Sequence, residues 1–346
     1  MGPKASTEEV QEITGIPSRT VRYRLKRLRE TGVLGPTRVL AIERKMGLGE
    51  NMFLVDTTPF GETVIPDIFH AIDTIYHNSP TYGKFTGYLV YSLYSLSSPR
   101  ITRRILERLQ EENLITDFFI FDITDFDAKR ADYQHFNPTL GWNWDWNRWR
   151  EEIPQTITSR KKFKLPLNEV QPILDFDTYD VLILKHMFDD GEITQKRLAE
   201  ILSMSEAQVN KRIKRLESEG IIKGYRASLS ATDDELNTVC FIELQKPTDR
   251  ILSVFYQLPF NATISMESRT RFAIQTALSA QNLRGFLKGL DVLRSYLASC
   301  FVQTVHNPKM SMDSHPYDLY NEKENRWETP GSEYLQDIEN VLKSKK

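Results

Sequence analysis

Cysteine is nearly absent: Cys240 and Cys300 are the only two in 346 residues. A disulfide framework of the kind that staples small secreted domains is therefore excluded. Both cysteines lie in apolar, strand-like runs (Val239-Cys240-Phe241-Ile242 and Cys300-Phe301-Val302), so the expectation is two buried thiols in a reducing compartment. No apolar run approaches the roughly 20 residues that span a bilayer, and the N-terminus has no hydrophobic signal-peptide core, which points to a cytoplasmic protein with no membrane partner. Excess charge is lacking too: the formal net charge is −2, so any nucleic-acid surface must be local rather than global. Also missing are a glycine-rich phosphate loop, a nucleophile elbow, a paired-carboxylate motif and metal-ligand spacing among His70, His135, His186, His306 and His315. No catalytic residue, cofactor or metal is expected from these. Core-forming material is ample, with 40% apolar residues over a length that suits two to four domains.

What is present is a repeat. Residues 13–34 align without a gap on residues 201–222, a shift of 188 positions that pairs Val21 with Val209, Arg24 with Arg212, Lys26 with Lys214, Arg27 with Arg215, Leu28 with Leu216 and Gly32 with Gly220. Each copy reads as a short helix, a turn and a basic helix closed by glycine. In the second copy Asp177 caps a preceding helix running to about Met187, Ser205 caps the basic helix, and residues 221–229 form two short strands around Gly224, a wing. The first copy has the same parts, with Ser6 as cap and a wing over 33–42, but no counterpart of residues 177–187. Its apolar stripe, Val10, Ile13, Val21 and Leu25, then needs another cover, because each large apolar side chain gains about 1.5 to 3 kcal/mol on full burial.

After each wing the pattern reads strand, helix, strand, strand, helix, strand: 52–57, 64–75, 76–82, 88–96, 99–113 and 116–123, then 238–245, 250–258, 262–268, 272–278, 282–297 and 300–305. The fold class expected is α+β, with two winged helix-turn-helix domains alternating with two ferredoxin-like βαββαβ domains. The boundaries are a first winged unit over 1–48, a sandwich over 49–124, a Trp- and Pro-rich linker over 125–174, a second winged unit over 175–235, a sandwich over 236–306 and a tail over 307–346. In the linker Trp142, Trp144 and Trp146 alternate with polar residues, so their rings would share one side of an extended strand. They suit either core anchoring or base stacking, and Arg160-Lys161-Lys162-Phe163-Lys164 suits either phosphate contact or a solvated linker. In the tail Leu335, Ile338, Val341 and Leu342 have helical spacing, and a helix over 332–343 is expected to cover the first winged unit.

On a helical wheel Val21, Leu25 and Leu28 form a stripe that packs, while Arg19, Tyr23 and Lys26 lie opposite. Ser18, Arg19, Arg22, Tyr23, Lys26 and Arg27 are the expected DNA contacts of the first copy, and Glu206, Ala207, Asn210, Lys211, Lys214 and Arg215 those of the second. Arginine can bond both acceptors of guanine and asparagine both edge groups of adenine, whereas lysine near the backbone mostly neutralises phosphate. Six basic residues and no acidic one between Arg19 and Arg29 favour double-stranded DNA over a protein-contact face.

The run Gln195-Lys196-Arg197-Leu198-Ala199-Glu200-Ile201 through Val209-Asn210-Lys211-Arg212-Ile213-Lys214-Arg215-Leu216 to Gly220-Ile221-Ile222-Lys223-Gly224-Tyr225, with the βαββαβ pattern after it, resembles the Lrp/AsnC (feast/famine) family of archaeal and bacterial transcription regulators, doubled in one chain. The resemblance covers residues 6–124 and 175–305. It implies a sequence-specific regulator whose sandwiches pair, as a homo-oligomer or an intrachain pseudo-dimer, and a possible small-molecule effector at the turn between the second and third strands. There the first copy has Thr86-Gly87-Tyr88 and the second has Ser268-Arg269-Thr270-Arg271-Phe272. The alternative is a tetrapyrrole-processing or haem-binding enzyme: siroheme decarboxylases resemble the same family, and His77-Asn78 matches the start of their His-Asn-Tyr-x-Arg-like stretch, with Ser79-Pro80-Thr81 following here.

Overall fold

The computed structural model describes residues 5–137, 139, 141–160, 163–229, 235–306, 314–328, 331 and 333–345. The chain opens with α1 (Thr7–Thr14), whose start is set locally: Ser6 Oγ accepts from the Glu9 N–H while the Glu9 carboxylate accepts from the Ser6 N–H, and Gly15 closes the helix at φ 70°. Next come α2 (Ser18–Glu30) and β1 (Leu34–Ala41). The first sandwich follows as β2 (Leu48–Thr57), α3 (Pro59–Ala71), β3 (Ile75–Gly83), β4 (Gly87–Ser95), α4 (Ile101–Glu111) and β5 (Ile115–Ile123). After it lie β6 (Asp125–Lys129), a small hairpin of β7 (Phe136–Asn137) and β8 (Gly141–Trp142), and α5 (Trp146–Thr158). The second winged unit is α6 (Thr178–Asp189), α7 (Gln195–Leu202), α8 (Glu206–Ser218) and β9 (Ile222–Leu229). The second sandwich is β10 (Glu235–Leu244), α9 (Asp249–Tyr256), β11 (Ala262–Met266), β12 (Arg271–Ser279), α10 (Ala280–Leu293) and β13 (Leu297–Val305). The tail holds β14 (Tyr320–Asn321), β15 (Arg326–Trp327) and α11 (Glu333–Ser344).

The two sandwiches share one nine-stranded sheet in the order β5-β2-β4-β3-β13-β10-β12-β11-β6. Each four-strand block has the ferredoxin-like order, and the blocks exchange strand ends. The last residues of β13 pair with β3 (Thr304 opposite Tyr82), and β6, one residue beyond β5, pairs with β11 (Ile264 opposite Asp127). The sheet therefore curls until its two ends are neighbours in sequence. Its inner faces meet in an apolar layer of Met52, Leu54, Leu89, Phe121, Val239, Phe241 and Ala273, in which Phe119 and Phe301 stand 5.0 and 4.9 Å from the Phe241 ring.

Each outer helical layer is completed by the other half. The linker is more than a tether: α5 packs on α9 and α10 of the second sandwich, with Trp149 1% exposed and its indole N–H 3.2 Å from the Val254 carbonyl. Helix α10 makes room with glycine at two positions one turn apart, since a Cβ on Gly285 or Gly289 would stand 2.3 Å from Trp146 or 2.0 Å from Trp149. The tryptophan rings thus fill a core as part of a helix. The extended strand expected for them stops at Trp142, because Asp145 caps α5 by accepting from the Asn147 and Arg148 N–H groups.

The tail helix corrects the sequence expectation. It packs on α3 and α4 of the first sandwich, where Tyr334, Ile338 and Leu342, at four-residue spacing, are buried with Val64, Ile65 and Leu106. It does not cover the first winged unit. Helices α3 and α4 bury a broad apolar surface along the stripe of α11, with Val64, Ile65, Ile105 and Leu106, whereas α1 and α2 together bury only Val21. Ser332, Lys161 and Lys162 lie outside the described residues.

The wings also differ from expectation. Neither is a hairpin; β1 and β9 are single strands that pair with each other, Arg38 opposite Arg226 and Val39 opposite Tyr225. A strand of one copy thereby satisfies the backbone of the other.

Candidate nucleic-acid interface

In the second winged unit three helices close one core. Val181, Ile183, Leu184 and Met187 of α6, Leu198 and Leu202 of α7, and Val209, Ile213 and Leu216 of α8 are buried together. Ser205 starts α8 with a capping box in which Gln208 returns the bond, and Ser203 takes a left-handed turn at φ 52° to set the angle between α7 and α8. The tail adds Tyr317, Tyr320 and Trp327 to this core, the last with its indole N–H on the Met46 carbonyl at 2.5 Å.

The orientation of α8 is then locked by charge. Asp180, fully buried, accepts from Arg212 at 2.9 Å and from Arg215, and Asp177 accepts twice from Arg212 at 2.8 Å. Burial opposes the charge on Asp177, but the Arg212 hydrogen bonds, the backbone N–H groups of Asp180 and Tyr179 and the Arg212 charge together outweigh it and hold the carboxyl below its ordinary range. Arg215, expected on the DNA, is thus committed to α6. Glu206, Ala207, Lys211 and Lys214 face outward, and half-buried Asn210 accepts from Gln195 at 3.3 Å. The spacing of the Asp177 cap was readable in the sequence; its partnership with Arg212, and that of Asp180 with Arg215, each across 35 residues, were not.

The first winged unit is different. Of α1 and α2 only Val21 is buried, while Ile13 is 72% and Leu28 40% exposed. Ser18 is half-buried with its N–H on Gln11 Oε1 at 2.7 Å, and Arg19, Arg22, Tyr23, Lys26 and Arg27 are exposed. The guanidinium groups of Arg19, Arg22, Arg24 and Arg27 make no ion pair among the described residues. Lys26 approaches Glu30 at 3.7 Å across solvent, an interaction of little weight. A residue that sequence reasoning missed, Glu192, anchors this unit to the second: it accepts from Arg29 and Thr37, both at 2.6 Å.

Both turns that the family resemblance marks for an effector are tied down by internal bonds or close backbone contacts, and Arg271 and Phe272 of the second line a small hollow with Phe119 and Phe301. Thr86 N–H bonds Asp56 at 2.8 Å, and a Cβ on Gly87 would lie 2.5 Å from the Val55 carbonyl. In the second copy Arg271 pairs with Glu267, which also accepts the Asp122 N–H at 2.8 Å. His77 is buried on β3, 3.0 Å from Ser79 Oγ and beside the Tyr91 ring. Near it, at the seam of the first sandwich, the second winged unit and the tail, two carboxyls are held against burial. Glu43, bonded by the Tyr317 hydroxyl at 2.7 Å, is pushed up to about 7 by desolvation, and Glu50, bonded by Tyr76, to about 8 by desolvation and then by Glu43.

Residues 176–223 match the family described as winged helix-turn-helix DNA-binding. The chain is 37% identical over 84 residues to a leucine-responsive regulatory protein of Rhizobium meliloti, covering 24% of this chain and 54% of that protein. Its second winged unit is similar to winged helix-turn-helix DNA-binding domains. The transcriptional regulatory protein DoeX of Halomonas elongata is 40% identical over 57 residues, 16% of this chain and 36% of that one, so the chain spans about half or less of the curated relatives it matches. The solved siroheme decarboxylase NirDL superposes with a TM-score of 0.48 at 11% identity, over 98% of this chain and 93% of that one. Among the described residues no helix of this Lrp-like chain is long and apolar enough to cross a membrane.

Proposed function

We propose that the chain is a sequence-specific, double-stranded DNA-binding transcription regulator of Lrp/AsnC type, in which α8 reads base edges and α2 supplies phosphate contacts. The observation that carries this reading is the contrast in how the two helices are held. Helix α8 stands on a closed core with Glu206, Ala207, Lys211 and Lys214 outward, whereas α2 presents four guanidinium groups with no ion partner among the described residues. Base readout needs a fixed geometry; phosphate neutralisation needs only charge. With Arg212 and Arg215 spent on Asp177 and Asp180, the outward cations of α8 reduce to Lys211 and Lys214, so α2 carries more of the electrostatic attraction. The curated relatives, both named as regulatory proteins, support the same reading. The two sandwiches joined through β3 and β13 support an intrachain pseudo-dimer as the reading unit, and the role proposed for it is cytoplasmic and non-catalytic.

The test is selection of bound fragments from sheared genomic DNA, followed by titration of an enriched fragment across salt. Enriched fragments should share one sequence. Replacing Arg19, Arg22 and Lys26 together by alanine should weaken all fragments alike and lower the log–log salt slope by about 0.9 per phosphate contact removed. Asn210→Ala with Lys211→Ala should instead relax preference at the bases they face, by about 1 to 3 kcal/mol per base pair. Binding with no shared sequence and no salt dependence would overturn the proposal.

A further inference from the structure

The two cysteines are not equivalent, and both are not buried. Strands β10 and β13 are antiparallel, with Cys240 opposite Val302 and Ile242 opposite Cys300. Side chains alternate along a strand, so the two thiols share one face of the sheet as diagonal neighbours, with Sγ atoms 3.7 Å apart. Cys240 is 1% exposed in the core of the second sandwich, among Ile242, Phe286 and Leu290. Cys300 is exposed and lines an open groove of 420 Å³ between α10 and β13, together with Arg294.

The geometry points to a peroxide-reactive pair: Cys300 is the thiol that a hydroperoxide oxidises, and Cys240 resolves it into an intrachain disulfide between β10 and β13. The Cys300 thiolate attacks one peroxide oxygen, the O–O bond breaks, and the second oxygen leaves as an alcohol or, from hydrogen peroxide, as water. Cys300 is then a sulfenic acid. Cys240 sulfur attacks Cys300 sulfur, the S–O bond breaks, and hydroxide leaves as water with the proton that Cys240 gives up. Two thiols and one hydroperoxide thus become one disulfide, one alcohol or water, and one further water. The surroundings sort the roles. A hydrogen bond from Cys240 and the charge of Arg294 hold the Cys300 thiol below its ordinary value, while the same hydrogen bond and burial push Cys240 well above its own. Closing 3.7 Å to the roughly 2.05 Å of a disulfide needs rotation of both side chains together with a small shift of β10 against β13, because diagonal neighbours stand further apart than directly opposite residues. Since the far end of β13 pairs with β3, the bond would staple the strand that joins the two halves.

The experiment treats the full-length protein, free of reductant, with a small excess of hydrogen peroxide and reads intact mass and free thiols. The wild type should lose about 2 Da, two hydrogens, with both thiols blocked to alkylation and restored by dithiothreitol. Cys240→Ser should stop at a Cys300 sulfenic acid that dimedone traps, and Cys300→Ser should leave Cys240 unmodified. Without peroxide and without substitutions, iodoacetamide should modify Cys300 at least tenfold faster than Cys240, which tests the asymmetry even if a variant misfolds. An unchanged wild-type mass, a disulfide only between molecules, or oxidation of Cys240 in Cys300→Ser would each overturn the pairing.

Discussion

Leu28 and Leu216 occupy the same place in the repeat, yet Leu216 is fully buried and Leu28 is 40% exposed. Both lie on a basic helix, and both helices obey the same local rules. What separates them is α6, which brings Val181, Ile183, Leu184 and Met187 to α7 and α8, while no described residues do the same for α1 and α2. A helix-turn-helix pair forms from caps and spacing, but two short helices present too narrow a surface to enclose their own stripe. The two sandwiches teach the opposite lesson. Each has its four strands and two helices, and each is finished by a helix belonging to the other half, α5 on the second and α11 on the first. The winged units are unequal because, among the described residues, only α7 and α8 have a third helix packed on them; the sandwiches are equal because helices are exchanged.

The largest effect should come from breaking one exchange and sparing the other. Trp149→Ala should cost about 3 to 5 kcal/mol and strip amide protection from α9 and α10, with α3 and α4 keeping theirs. Loss of protection in both sandwiches at once would show that the halves unfold as one unit. Ile338→Ala is the mirror experiment, with the protection lost from α3 and α4 and a cost of about 2 to 4 kcal/mol.

Leu216→Ala should destabilise the second winged unit by about 3 kcal/mol, read as a lower urea midpoint with unchanged slope. If that midpoint does not move, α8 is not held by its core, and its role as the fixed reader fails with it.

The seam between the halves should respond to pH. Glu43 and Glu50 have folded values of about 7 and about 8, above the value of about 4.3 for a glutamate in the unfolded chain. Their contribution is therefore fully present below the unfolded value and lost as pH rises through the folded ones. Stability should fall by several kcal/mol between about pH 5 and pH 9, the larger share from Glu50, whose folded value is the higher, and Glu50→Gln should flatten much of that fall. A wild-type midpoint as high at the alkaline end as at the acid end would mean that these carboxyls are hydrated.

The smallest effect is expected at Leu28→Ala, within about 0.5 kcal/mol, because a side chain so exposed has little burial to lose. A cost approaching that of Leu216→Ala would mean that something covers the first winged unit in solution, and the inequality of the two copies would disappear.

Much of this was legible in the residues. The gapless match of 13–34 to 201–222, the caps at Ser6, Asp177 and Ser205, and the period-two runs of both sandwiches lead directly to the α+β order of elements, because capping and alternation act within a few residues. The outward faces of α2 and α8 were legible for the same reason, apart from Arg215. Its pairing with Asp180 depends on how α6 crosses α8, and a wheel drawn for one helix contains no second helix. Cys300 was read as core from apolar neighbours in sequence, but whether a strand residue is covered depends on what lies across its face, and there the groove between α10 and β13 stays open. The amphipathic stripe of α11 was also plain in the sequence, and its destination was not. A stripe specifies that a helix must bury one face, while the choice between the first winged unit and the α3–α4 surface rests on the shape and extent of surfaces assembled from residues more than two hundred positions away. Local periodicity and capping, which act over one or two turns, determined the elements of this protein; the pairing of β1 with β9, the strand exchange at β3 and β6 and the crossed seats of α5 and α11 were decided by tertiary packing, because only there do distant surfaces compete for the same apolar face.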